Sequence, residues 1–306
     1  MKIIFMGTPD FSVRVLEALV ESKHDVVAVV TQPDRPGMRG GKLIAPPVKV
    51  YAQARGLRVL QYEKVSAEGL SDLSALNADV MITAAFGQIL SQKILDMTPL
   101  GVLNVHASLL PKYRGSSPIQ WAIINGEKQT GITIMKTALA VDSGDVLYQV
   151  ATDIGQNETA GELFDRLSVL GAEAILHALS LIESKEAEFT AQDEKLVTHC
   201  AMLKKSDGKI DFSQTAQAVH DKIRGVTPWP GAFASQDGEV YKLFDSRVVP
   251  GSGRPGEILA ADSERGLVVA CSDGAVSLCV QKAGGKKMPI RDFLRGHSFR
   301  TGSFFE

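Results

Sequence analysis

Cysteine is scarce: Cys200, Cys271 and Cys279 are the only three in 306 residues, and none has a partner at CxxC spacing. An odd, scattered set argues against a disulfide framework or a cysteine-built zinc site, and it points to a reducing compartment. Charge of one sign is also lacking. The formal net charge is −2, so global basicity does not mark a nucleic-acid binder, and only a local patch can do so. The opening run MKIIFMGTPDF is broken by Gly7, Pro9 and Asp10, too early for the core of a secretory leader. No uninterrupted stretch approaches the roughly 18 apolar residues of a membrane span. These absences predict a cytoplasmic protein with no membrane partner. Several catalytic signatures are missing too. GTPDF follows the first apolar run where a dinucleotide fold has G-x-G-x-x-G, and neither a G-x-S-x-G elbow nor an HExxH pair occurs. GMRGGKL (37–43) lacks the spacing of a phosphate loop and ends in Leu. No metal site is expected.

What is present reads as globular. Hydrophobic residues make up 44% and charged residues 22%, which excludes disorder, and the length suits two domains. KIIFMG, DVVAVVTQ, LRVLQ, DVMITAAF and GVLNVHA read as buried strands separated by helical spacing such as Phe11, Val15 and Leu19. Such alternation predicts an α/β fold with a Rossmann-like parallel sheet covered on both faces. Further strands are expected at 131–136 and 145–152, a helix at 117–125, and a long helix opened by the capping box TAGE (159–162). Residues 189–206 are charged and irregular, a linker between a first domain at 1–188 and a second at 207–306. Short strands with Gly and Pro turns make the second domain a small OB-like β-barrel. Residues 204–306 hold 15 basic and 12 acidic residues, and the tail concentrates Lys282, Lys286, Lys287, Arg291, Arg295 and Arg300. That patch is either a solvated face or a surface that tracks phosphates.

Alternation in a strand puts Asn104 and His106 of NVHASLLPKYRG on one face, at the carboxyl edge where α/β sheets bind ligands. An Asn amide can donate to a developing oxyanion and a His can move protons near neutral pH. Alone, the pair reads more readily as a polar corner of the core. Asp142, in the turn AVDSGD, is the nearest candidate for a carboxylate that would hydrogen-bond His106 and fix its tautomer.

The run NVHASLLPKYRGSSPIQWAI, with GITIM and VDSGD after it, resembles the 10-formyltetrahydrofolate-dependent formyltransferases. FMGTPDFSVRVLEAL, TQPDRPGMRGGKLIAPPVKVYA, AAFGQIL, GVTPWPGAF and AGGKKMPIRDFLRG extend the likeness over nearly the whole chain, closest to members that act on charged initiator tRNA. The resemblance implies catalytic roles for Asn104, His106 and Asp142. It implies a folate seat at Ser108, Leu109, Leu110 and Pro111, with Phe86 and Gly87 along the pterin. 10-Formyltetrahydrofolate would be the donor, with no metal and no obligate protein partner. The loop from Thr31 to Pro47 would enter the acceptor end of the tRNA, with Arg35, Arg39 and Lys42 as contacts, and Lys286, Lys287 and Arg291 would hold its backbone. One departure stands out: Thr137-Ala138-Leu139-Ala140-Val141 precedes Asp142 where the family usually carries an acidic residue. An amino-sugar nucleotide as acceptor, or an RNA-binding module without catalysis, are the alternatives.

Overall fold

A computed structural model describes residues 1–37, 41–282 and 284–306. Arg39 therefore lies outside the described residues. The chain runs β1 (Lys2–Gly7), α1 (Asp10–Glu21), β2 (Asp25–Thr31), α2 (Pro47–Ala54), β3 (Val59–Gln61), β4 (Val80–Ala84), β5 (Val102–His106) and α3 (Pro118–Ile124). It continues through β6 (Gln129–Lys136), β7 (Val146–Asp153), α4 (Ala160–Ser184), α5 (Ala216–Gly225) and β8 (Ala232–Gln236). β9 (Glu239–Val249), β10 (Ile258–Asp262), β11 (Gly266–Ala270), β12 (Ala275–Lys282) and α6 (Ile290–Gly296) complete it.

These elements form two compact units that interleave along the chain. The first holds residues 1–115, 130–152 and 164–199; the second holds 116–129, 153–163 and 200–306.

The first unit is built on a seven-stranded sheet ordered β7-β6-β5-β4-β1-β2-β3. β1 is parallel to β2 and β4, β4 to β5, and β2 to β3, while β6 runs antiparallel to β5. The parallel sheet expected from sequence is thus extended by an antiparallel strand beside the site. Ile3, Ile4, Phe5 and Met6 of β1 are fully buried, which is why that strand is unbroken apolar sequence rather than an alternation. The chain turns tightly after β1. A Cβ at Gly7 would lie 2.6 Å from the Ser12 Cβ, so only glycine fits there. Ser12 Oγ then donates to Ala84 O (2.5 Å) and Thr8 Oγ1 to Phe86 O (3.0 Å), tying the β1–α1 turn to the exit of β4.

α4 corrects one expectation. By length and composition it is apolar enough to span a membrane, although no such stretch was expected. Its Leu167, Ile175, Ala178 and Leu179 are fully buried against protein, the behaviour of a core helix. The capping box forms as expected: Thr159 N–H donates to Glu162 Oε2 (2.8 Å) and Glu162 N–H to Thr159 Oγ1 (3.3 Å).

The second unit contains a five-stranded sheet ordered β8-β9-β12-β11-β10. Its edges are joined by the last residues. Ser235 exchanges two backbone hydrogen bonds with Glu306 (2.9 and 2.7 Å), while Ile258 N–H donates to Ser303 O and Gly302 N–H to Ile258 O. This closure gives the OB-like barrel and spares two edge strands from exposure. Tyr241, 1% exposed, centres an aromatic core with Phe293, Phe299 and Phe305. α5 carries a buried ion pair, Arg224 Nε to Asp221 Oδ1 at 2.7 Å, with side chains only 4% and 3% exposed. Arg224 Nη1 also donates to the carbonyls of Gly155 and Glu158 (3.1 and 2.9 Å), holding the 153–163 segment to α5.

Candidate active site

Asn104 lies opposite Thr83 on parallel β4 and Met135 on β6. Its side chain is half-buried, and Thr83 Oγ1 donates to Asn104 Oδ1 at 2.8 Å. The carboxamide oxygen is thereby occupied, and the NH2 end is left to donate elsewhere; among the described residues no hydrogen bond takes it. Thr83 went unnoticed in the sequence because a Thr in a buried strand is common, and only register places it against Asn104.

His106 is 6% exposed. Its Nε2–H donates to Tyr113 O at 3.0 Å, so the backbone sets the tautomer and leaves Nδ1 as the open ring nitrogen. Asp142 Oδ2 stands 3.6 Å from Nδ1. That separation corrects the direct hydrogen bond expected from sequence: it is too long for one, and the carboxylate faces the ring nitrogen across a short gap. Asp142 Oδ2 instead accepts the Gly115 N–H at 2.9 Å. Asp142 adopts φ +50°, a left-handed backbone that a non-glycine residue occupies at a cost of about 1–3 kcal/mol, so its surroundings must hold it.

The loop after β5 is tightly braced. Ser108 is fully buried and spends its hydroxyl on Lys112 O (2.7 Å), and Leu110 is 5% exposed with its N–H on Thr133 Oγ1 (3.1 Å). Thr133 Oγ1 donates to Ser108 O (2.7 Å), and Gln149 Nε2 donates to Leu110 O (2.8 Å). Leu109 and Pro111 are the partly exposed members. A Cβ at Gly131 would meet Val150 O at 2.1 Å and Leu109 Cδ2 at 2.6 Å, so β6 needs glycine where Leu109 leans on it. The Ser and the first Pro-flanking Leu therefore shape the loop, and Leu109 and Pro111 present its surface.

At the exit of β4, Ala85 (φ +44°) and Gly87 (φ +82°) turn the chain at the same carboxyl edge. The Phe86 ring is buried in the core with Ile4, Met6 and Tyr62, and its carbonyl accepts from Thr8 Oγ1 and Gln32 Nε2. Gly87 is exposed, so this turn offers backbone and the glycine rather than the Phe ring.

Each expected cationic contact has its own local surroundings. Arg35 makes a two-pronged ion pair with Glu63 (3.2 and 2.7 Å), both side chains 59% exposed, and at such exposure the pair is weak and easily exchanged. Lys42 is exposed beside Leu43 and Ile44, themselves about 60% exposed. Asp34 anchors the loop base: hydrogen bonds from Lys49 (2.8 Å) and Gln61 hold its carboxyl below the usual carboxylate range. In the tail, Lys287 Nζ sits 4.3 Å over the Phe244 ring and 3.8 Å from Asp245, while Lys286 and Arg291 are exposed. Lys282 pairs with Glu239, an acid that sequence proximity does not reveal, and Arg295 pairs with its neighbour Asp292, so part of the patch is neutralised. Among the described residues no group of three or more His, Cys, Asp or Glu is placed to hold a metal ion.

Known proteins resemble this chain. Residues 1–179 match the family model for formyl transferase, and 202–298 match that of the formyl transferase C-terminal domain. The chain is 45% identical, over 99% of its length and 95% of the relative, to the methionyl-tRNA formyltransferase of Citrifermentans bemidjiense. An N-formyltransferase from Helicobacter canadensis, solved with folinic acid and dTDP-3-aminofucose, gives a TM-score of 0.68 at 19% identity, over 92% of this chain and 99% of that one. The methionyl-tRNA formyltransferase from Clostridium thermocellum gives 0.58 at 15%, over 92% and 98%. At such identities the two structures speak for the fold alone. The near end-to-end identity with the curated relative and the two family models place the matter beyond fold likeness: the chain belongs to the formyl transferase family.

Proposed function

We propose that the chain transfers the formyl group of 10-formyltetrahydrofolate to the amino group of methionine carried by initiator tRNA. One observation carries the chemistry. The Asn104 amide, its oxygen held by Thr83, directs donors outward from the strand that also bears His106, with Asp142 facing the open ring nitrogen. Identity of 45% to a methionyl-tRNA formyltransferase over 99% of the chain supports the acceptor. That full-length identity favours the charged tRNA over an amino-sugar nucleotide as acceptor.

In the proposed reaction the acceptor amine attacks the formyl carbon, and a C–N bond forms as negative charge gathers on the formyl oxygen. The bond from that carbon to folate N10 then breaks. The amine loses one proton and N10 gains one, so transfer is proton-neutral. Asn104 donates to the oxyanion. His106 receives the proton at Nδ1 and, once charged, adds electrostatic support, with Asp142 at 3.6 Å stabilising that charge. Leu109, Pro111 and Gly87 would face the folate, with Ser108, Leu110 and Phe86 shaping the walls from beneath.

Residues 1–188 would be the folate-binding catalytic domain and 207–306 the tRNA-binding domain, joined through 189–206. Arg35, Arg39 and Lys42 would meet the acceptor end, and Lys286, Lys287 and Arg291 the phosphates, in the cytoplasm where charged initiator tRNA is used. The test supplies labelled 10-formyltetrahydrofolate with charged initiator tRNA, charged elongator tRNA and an amino-sugar nucleotide. Label should pass to initiator tRNA; label found only on the sugar overturns the reading.

A further inference from the structure

Asp142 sits in a strained left-handed conformation within a loop that gives it little help. The five residues before it, Thr137 to Val141, contain no charge, and Leu139 and Val141 are 60% and 61% exposed, so they do not anchor it by packing. The loop base is tied by Thr137 N–H to Val102 O (2.7 Å) and Lys136 N–H to Asp145 O (2.9 Å), and the side-chain brace at Asp142 and Gly144 comes from 50 residues downstream. Gln192 Nε2 donates to Asp142 O (2.9 Å) and to Gly144 O (2.8 Å). Gln192 Oε1 accepts from Arg114 Nε (3.0 Å) and Nη2 (2.9 Å). Both amide hydrogens and both carbonyl lone pairs are used, so this side chain is saturated.

The other end of the tie leads back to the site. Arg114 is 5% exposed and its Nη2 also meets Glu194 Oε1 at 2.8 Å. On one side of it, Tyr113 O takes the His106 Nε2–H; on the other, Gly115 N–H reaches Asp142 Oδ2. The tripeptide 113–115 therefore touches both members of the proton-handling pair, and Gln192 clamps that tripeptide to the loop bearing Asp142.

We infer that Gln192 is a positioning residue for the transfer reaction: it sets the separation between His106 Nδ1 and the Asp142 carboxylate without touching a reacting atom. The inference rests on the catalytic roles proposed above for His106 and Asp142. Ala140 and Val141 precede the aspartate and bring it no polar side chain, and the brace arrives instead from the segment that sequence marks as a linker.

Gln192→Glu keeps the acceptors for Arg114, and so the docking of residues 192–194, while removing both donors to the Asp142 loop. With charged initiator tRNA and saturating folate it should lower kcat by roughly 10–100-fold, the scale of a misplaced catalytic group. KM for folate should stay within about twofold, and the acid limb of the kcat–pH profile should move. Gln192→Met removes donors and acceptors together, carries no titratable group, and should reproduce both changes; it carries the test if the glutamate variant does not fold. Glu194→Gln disturbs only the outer side of Arg114 and should leave kcat and the profile within about twofold. A Gln192 variant that folds and keeps the wild-type kcat and pH profile overturns the inference. So does a Glu194→Gln variant with an equal loss, since general anchorage of Arg114 would then suffice. Inactivity of the wild-type chain on charged tRNA is a different outcome, which refutes the proposed function itself.

Discussion

Thr83→Val isolates the orientation of one amide. Val matches Thr in shape, and position 83 is 6% exposed in β4, so the strand and its packing should survive. What disappears is the 2.8 Å hydrogen bond to Asn104 Oδ1; the Leu103 carbonyl, 3.3 Å from the same hydroxyl, is the poorer acceptor. Without it the carboxamide has no reason to keep its oxygen inward, and part of the population presents oxygen to the developing oxyanion. A neutral hydrogen bond contributes about 0.5–1.5 kcal/mol net, which converts to a loss of about 2- to 13-fold in kcat. The ceiling is set by Asn104→Ala, which removes the donor altogether and should cost about 10²–10³-fold. The assay is single-turnover formyl transfer at saturating folate, with folate affinity measured separately and expected to hold. Transfer unchanged in Thr83→Val, with the fold intact, would refute the view that Thr83 aims Asn104. A loss as large as that of Asn104→Ala would refute it from the other side, because Thr83 would then be acting through more than orientation.

His106→Ala should reduce formyl transfer by about 10²–10⁴-fold in protein that is folded at the assay temperature; near-normal turnover removes the proton-transfer role. Arg224→Ala leaves Asp221 buried without its cation and takes away the donor for Gly155 O and Glu158 O, so unfolding in urea should show a loss of about 3–5 kcal/mol. Replacing the pair together, Asp221→Leu with Arg224→Met, should recover most of that loss, and failure to do so would point to the carbonyl contacts instead. Acid should weaken the second unit through His220, which is 2% exposed and hydrogen-bonded to Ser246 Oγ (2.8 Å) and Gln156 O (3.1 Å). Burial pushes its pKa below the ordinary histidine value, so the unfolded chain takes up its proton first as pH falls. Stability is complete above the unfolded pKa of about 6.5 and declines as pH drops through the folded value. Urea midpoints at pH 7.5 and 5.5 should show a smaller acid loss in His220→Gln than in wild type.

Sequence reading worked where one chain segment carries the whole signal. KIIFMG, DVVAVVTQ and DVMITAAF carry runs of apolar residues without alternation because both faces of a parallel sheet are covered, and the TAGE capping box marks its own helix start. Asn104 and His106 share a face by the two-residue period of a strand, which needs no partner to be seen. Lost were the facts that depend on register or on long loops. Thr83 meets Asn104 only through the pairing of β4 with β5, and Gln192 reaches Asp142 across 50 residues. The antiparallel course of β6 also escaped, since periodicity does not encode strand direction. α5 was overlooked within a stretch read as strands, although Thr215 accepting from Ala218 N–H, followed by Val219 and Ile223, was an available helix start.

The interleaving of the two units bears on how such chains can be recombined. Residues 153–163 and 216–225 meet through Arg224, His220 and the carbonyls of Gly155, Gln156 and Glu158, yet they lie far apart in the gene. A single crossover between relatives near residue 200 would join an α5 from one parent to a 153–163 segment from another, with a buried charge pair at the mismatch. Chimeras that exchange the second unit should therefore carry 116–129, 153–163 and 200–306 from the same parent, and natural recombinants should be rare between those points.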